Sequence, residues 1–135
     1  IKIMHVSGVS LSILGLDFVS GNSNTSGALH LAAGSQVTIN RVTFAGNRAT
    51  GGIGSGGGAV GISGGATLNA QYVNFNNNIN VSALGGGILN LGYLNISDSQ
   101  IVSNSAAIAG GIANYTASGG IFNRLIVSGE YKLTA

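Results

Sequence analysis

The chain has no cysteine, no proline and no tryptophan, and only a single methionine. Without cysteine there are neither disulfides nor thiolate metal ligands, and the compartment stays open on that count. Charge is scarce as well: 6% of residues are charged, against about a quarter in ordinary soluble proteins. Lys2, Arg41, Arg48, Arg124 and Lys132 stand against Asp17, Asp98 and Glu130, for a formal net charge of +2. Five scattered cations do not make the basic patch that a nucleic-acid partner requires. Gly, Ser and Asn interrupt every apolar stretch, so no run of about 20 apolar residues exists to span a membrane as a helix.

Glycine fills 24 of the 135 positions and 44% of the residues are hydrophobic. The glycines keep no three-residue period, which excludes collagen, and the Val, Ile and Leu content is too high for a solvated coil. What remains is an all-β chain rich in Gly, Asn, Ser and Thr, with enough apolar surface to bury a core in a single segment spanning 1–135.

The organising signal is an internal repeat. Large apolar anchors recur at Phe18, Phe44, Phe75, Ile101 and Ile126, separated by 26, 31, 26 and 25 residues. Five residues before them stand Ile13, Ile39, Ala70, Ile96 and Ile121, and seven before stand Leu11, Val37, Leu68, Leu94 and Gly119. That alternation marks a strand. Three residues after the anchors come Asn47, Asn78 and Asn104, with Asn22 displaced by one in the first copy and Gly129 in place of Asn in the last. Between anchors, small residues lead into short apolar runs such as Gly27-Ala28-Leu29, Gly57-Gly58-Ala59-Val60, Gly86-Gly87-Ile88-Leu89 and Gly110-Gly111-Ile112-Ala113. Gly pairs there allow a positive φ at a bend and a close approach of stacked backbones.

Units of this length, with short strands and Gly or Asn corners, predict a right-handed parallel β-helix of about five coils. The Phe and Ile anchors are expected in one interior column and the asparagines in a corner ladder. The longest insertion, Arg48 to Gly56, is expected to bulge from the second coil. The chain opens at Ile1 without an initiator Met and stops in mid-pattern. It is therefore expected to be a segment, without caps, of a longer repeat protein, whose ends meet further coils, an adjoining domain or like subunits.

The Phe44-x-x-Asn47 and Phe75-x-x-Asn78 motifs, followed by Gly57-Gly58-Ala59-Val60 and Gly86-Gly87-Ile88-Leu89, resemble the FxxN and GGA[IVL] repeats of chlamydial polymorphic outer membrane proteins. Ser10-Leu11-Ser12-Ile13-Leu14-Gly15-Leu16-Asp17-Phe18 is similar to the entry coil of related bacterial surface β-helices. The resemblance covers nearly the whole chain, and it implies secretion, a pectate-lyase-like fold, and adhesion or surface display. Ile101, Ile126 and Gly129 depart from its pattern.

Enzymes share this kind of scaffold, so chemistry has to be argued from residues. Glycoside hydrolysis needs two carboxylates about 5 to 9.5 Å apart, and Ca²⁺ ligation needs clustered acidic oxygens. Asp17 and Asp98 fall about three coils apart, Glu130 sits near the end, and all three read as solvated or gatekeeping charges. No catalytic residue, cofactor or metal site is expected. His5 and His30, 25 residues apart, could stack on adjacent coils, but two imidazoles do not make a metal site. Arg41, Tyr72 and Asp98 share one outward register and form a candidate surface strip. Thr38, Asn40, Thr43, Asn69, Asn74, Asn95 and Ser97 are expected on the outside, without the regular Thr ranks of an ice-binding face. Asn24, Asn80, Asn95 and Asn114 begin Asn-x-Ser/Thr sequons. The expected function is a non-enzymatic adhesion, display or stalk module, with a host surface or carbohydrate as candidate partner. The alternative is the β-helix portion of a polysaccharide lyase or glycosidase that acts through residues elsewhere.

Overall fold

Strict alternation makes the strands. In Gln36–Asn40 the side chains of Val37 and Ile39 are fully buried while Gln36 and Thr38 are exposed, the period of two that a half-buried strand requires. The computed structural model describes residues 3–51, 56–81, 84–115 and 118–130, together with the backbone alone of Tyr131 and Lys132. Every pairing among the described strands is parallel, and the chain is an all-β parallel β-helix.

One face stacks Met4–Val6, Leu29–Leu31, Val60–Ile62, Ile88–Asn90 and Ile112–Asn114. A second, larger sheet has two arms. Ser10–Leu14, Gln36–Asn40 and Thr67–Gln71 form one arm, and Asp17–Val19, Thr43–Ala45 and Asn74–Asn76 the other; Tyr93–Val102 and Gly119–Ser128 run through both. A third face stacks the two-residue strands Asn22–Ser23, Arg48–Ala49, Ile79–Asn80, Ser105–Ala106 and Tyr131–Lys132. Five stacked strands close four full turns from first to last, so the winding is slightly shorter than the five coils expected.

Two columns of left-handed residues lock the register. Gly15, Arg41, Tyr72, Asp98 and Arg124 all have positive φ where the two arms meet, and Ser20, Gly46, Asn77, Ser103 and Gly129 do so at the next corner. Parallel hydrogen bonds continue only if these bends stack. That condition corrects the last coil, where Val127 pairs with Ile101 and Phe122 with Ile96. Ile126 and Ile121 therefore face outward, at 56% and 60% exposure, and Ile126 is not a core anchor. Gly120, not Gly119, continues the Leu94 column.

The core follows the predicted columns elsewhere. Ile13, Phe18, Ile39, Phe44, Phe75, Ile96 and Ile101 are buried. Phe18, Phe44 and Phe75 stack with ring centroids 4.9 Å apart and nearly parallel planes. Truncating such a packed Phe costs roughly 3 to 5 kcal/mol, which puts Phe44, with a ring on either side, among the costliest positions.

The asparagine ladder is present and fully buried. Asn47 Nδ2 donates to Asn78 Oδ1 (2.9 Å) and to the Phe18 carbonyl (2.9 Å); Asn78 Nδ2 donates to Asn104 Oδ1 (2.8 Å) and to the Phe44 carbonyl (3.0 Å). In the first coil Gly21 occupies this corner, its N–H donating to Asn47 Oδ1, and Asn22 pairs one position on with Arg48. In the last coil the ladder residue is Glu130 and not Gly129, and Glu130 is no solvated charge: it accepts from Asn104 N and Nδ2.

The Gly pairs serve close approach more than positive φ. A Cβ on Gly27 would lie 2.0 Å from the Gly58 carbonyl oxygen, whereas the left-handed residues are Gly56 and Gly85, just ahead of the pairs. Arg48–Ala49 is itself a strand, so the extra residues of the long coil fall between Ala49 and Val60, of which residues 52–55 lie outside the described residues.

Candidate functional site

The outward side of the first arm of the large sheet carries the chain's most developed surface. Alternation leaves two columns facing out. One contains Thr38, Asn69 and Asn95 on successive coils and the other Asn40, Gln71 and Ser97, in the register set by backbone pairing. Together they line a groove of about 370 Å³, closed at the last coil by Ile121 and Asn123. Its lining is uncharged and, besides these hydrogen-bonding side chains, includes Ile39, Ala70 and Ile96. Asn95 Nδ2 donates to Asn69 Oδ1 (2.8 Å), and Asn40 Nδ2 reaches Gln71 Oε1 (3.5 Å). Asn95 Oδ1 is buried and accepts no hydrogen bond among the described residues, because the next rung holds Ile121 in place of another amide.

The left-handed column forms one rim of this groove and contains the predicted strip. The Arg41 guanidinium lies 5.3 Å from the centroid of the Tyr72 ring, a cation–π contact, and Arg41 Nη1 donates to Asn40 Oδ1 at 3.0 Å. Asp98 continues the column, so Arg41, Tyr72 and Asp98 do come together. It is held in a bidentate pair by Arg124, whose Nη2 lies 2.7 Å from Asp98 Oδ2, and accepts from Gln71 Nε2 at 3.1 Å. Asp98 is thus an ion-paired rim residue and not an isolated solvated charge. These bonds, Arg124 first and Gln71 second, lower its pKa from 3.8 to about 2, and the same pairing raises that of Arg124. Tyr93, two residues before Asn95 on the same strand, is also exposed.

Gln71, Asn123 and Arg124 are the members of this surface that motif reading missed. The repeat offsets carry them: Gln71 follows Asn40 by 31 residues, and Arg124 follows Asp98 by 26.

The remaining candidates do not converge on it. Asp17 and Asp98 are three rungs apart, roughly 14 Å along the axis at about 4.8 Å per rung, beyond the spacing of a catalytic carboxylate pair. Burial raises the pKa of Glu130 from 4.5, against the two Asn104 bonds. His5 and His30 stack on adjacent coils with centroids 5.2 Å apart, and the two ring nitrogens of His30 face the Ser26 and Ser63 hydroxyls. Among the described residues no three His, Cys, Asp or Glu gather as metal ligands, and no helix is long and apolar enough to cross a membrane. Of the sequon residues, Asn80 is fully buried and donates to the Gly56 and Leu84 carbonyls, while Asn24 and Asn114 are exposed.

No protein-family model, curated protein or solved structure matches this chain.

Proposed function

We propose that this chain is a non-enzymatic β-helix module of an extracellular or cell-surface protein, used for adhesion, display or as a stalk. The observation that carries the reading is the use of two of its three acidic groups: Asp98 is locked to Arg124 and Gln71, and Glu130 to the Asn104 ladder. Both carboxylates maintain stacking and neither is paired with a second acid. The resemblance to chlamydial surface repeats points the same way.

Partners of two kinds fit. Gly119–Ser128 is a ten-residue edge strand with Ile121, Phe122, Ile126 and Val127 exposed, a template on which further coils, an adjoining domain or like subunits would stack. The outward groove is the candidate contact for a host surface.

The test couples two assays. Beads carrying the purified chain are expected to adhere to epithelial cells above an uncoated control, and incubation with pectin, alginate and β-glucan is expected to release no reducing or unsaturated sugar. Sugar release would overturn the non-enzymatic reading; beads that bind no better than the control would remove adhesion and leave the stalk.

A further inference from the structure

We infer that the groove over Thr38, Asn40, Asn69, Gln71, Asn95 and Ser97 is a binding site for a neutral oligosaccharide. The inference deepens the display reading and rests on it for the biological setting, though not for the chemistry.

The floor carries donors and acceptors side by side without charge. An amide offers both an N–H and a carbonyl oxygen, and a sugar hydroxyl is likewise donor and acceptor at once, so a surface of alternating amides complements a string of hydroxyls. An anionic polymer would be served better by free cations. Arg124, however, is engaged by Asp98, which leaves Arg41 as the rim's unneutralised charge.

The floor is also set in advance. Asn69 holds Asn95, Gln71 holds Asn40, and Asp98 holds Gln71, so these side chains lose little rotamer freedom when a ligand arrives. Among the described residues Asn95 Nδ2 and Gln71 Nε2 each make one hydrogen bond, which leaves each amide a second N–H for the groove.

Two further features suit a sugar ring in particular. A pyranose has apolar C–H faces as well as hydroxyl edges, and the groove's lining includes the exposed apolar side chain of Ile121. Among the described residues Asn95 Oδ1 is buried without a partner beside Ile121, and a hydroxyl that shifts this exposed side chain supplies the missing donor. The volume of about 370 Å³ falls in the range of roughly 300 to 1,000 Å³ for small-molecule sites, enough for a short oligosaccharide segment.

The experiment is saturation-transfer NMR and calorimetry on the whole chain with cello-, malto-, manno- and chito-hexaose, and with polygalacturonate as the anionic comparison. At least one neutral hexasaccharide is expected to bind at millimolar concentration or better. Gln71→Ala and Asn69→Ala should each weaken that binding by about tenfold or more, the loss of a well-formed hydrogen-bond set. Asn74→Ala, exposed on the other arm, should leave it unchanged. Thr38→Tyr fills the groove from an exposed position and provides the same test should the alanine variants fold poorly. Absence of binding by all four neutral sugars, binding insensitive to these variants, or binding of polygalacturonate alone would overturn the assignment. The display reading would survive each of those results, while release of cleaved sugar would end that reading and leave the groove standing.

Discussion

Glu130 accepts hydrogen bonds from both the backbone N–H (3.1 Å) and the side-chain Nδ2 (3.2 Å) of Asn104, occupying the corner that asparagine holds in the three coils before it. A carboxylate ends the ladder well as an acceptor but cannot donate onward as an amide does.

That geometry carries a pH dependence. Burial raises the pKa of Glu130 above 4.5, so ionising it costs more in the folded chain than in the unfolded one. Its contribution to stability is complete below the unfolded value and is lost as pH rises through the folded value. Glu130→Gln keeps an oxygen acceptor without the charge. The variant is expected to melt a few degrees above the parent at neutral pH and to converge with it in acid, followed by circular dichroism. A variant less stable than the parent at both pH values would show that the negative charge itself holds the ladder end.

Within the ladder, Asn78 is the central rung. Its Oδ1 accepts from Asn47 N (3.0 Å) and Nδ2, and its Nδ2 donates to Asn104 Oδ1 and the Phe44 carbonyl. Asn78→Leu leaves several buried groups without partners, each worth about 1 to 3 kcal/mol, so a loss of at least about 3 kcal/mol is expected in urea unfolding. Asn78→Asp can accept but not donate, and opposes the Asn104 oxygen; it should be no better than Leu. A loss below about 1 kcal/mol for both would mean the ladder contributes little.

How much of this was legible in the sequence depended on alternation. Phe18, Phe44 and Phe75 could be aligned because each recurs five residues after the buried position of the preceding short strand, and Asn47, Asn78 and Asn104 because each stands three residues after its apolar anchor. In the last coil Ile121 and Phe122, and then Ile126 and Val127, are apolar on both parities. Nothing local chooses between them, and a slip of one residue exchanges inside for outside. The stacked left-handed bends decide it, and they are a property of neighbouring coils. Glu130 was hidden for a related reason, since a charged residue in a column of amides announces no continuity. The Arg41, Tyr72 and Asp98 strip could be read from register alone. The groove beside it could not, because Gln71 and Asn123 belong to no motif and meet the other amides only through pairing.

The Asp98–Arg124 pair is expected to matter locally. With its pKa lowered to about 2, Asp98 contributes stability that is present above its ordinary value of 3.8 and is lost as pH falls toward 2. Arg124 is 64% exposed in its side chain, and solvent and salt screen the pair. Arg124→Gln should raise the Asp98 carboxyl pKa toward 3.8 in an NMR titration, stopping short of it because Gln71 still donates, with little change in the unfolding midpoint. An Asp98 pKa that does not move would show that Gln71, not Arg124, holds it down.

The sharpest test of the stacking concerns two glycines. A Cβ on Gly58 would stand 2.0 Å from the Gly86 carbonyl oxygen and 2.7 to 2.8 Å from backbone atoms of Ile79. Each obstacle is main chain fixed by interstrand hydrogen bonds, including Ile79 N to the Asn47 carbonyl (2.9 Å), so none can yield as the tip of a side chain would. Gly64 has ordinary φ, is exposed, and would place its Cβ no nearer than 3.7 Å to the Leu91 carbonyl oxygen. Removing a glycine at such an open site stabilises by about 0.4 to 1 kcal/mol, through the reduced entropy of the unfolded chain. Gly64→Ala is therefore expected to equal or exceed the parent in urea unfolding. Gly58→Ala must push adjacent coils apart at the place where their backbones are closest. It is expected to lose most of the stability, or to yield no cooperative transition at all. A Gly58→Ala variant within about 1 kcal/mol of the parent would mean that the coils are not held in contact along the Gly27, Gly58 and Gly86 column.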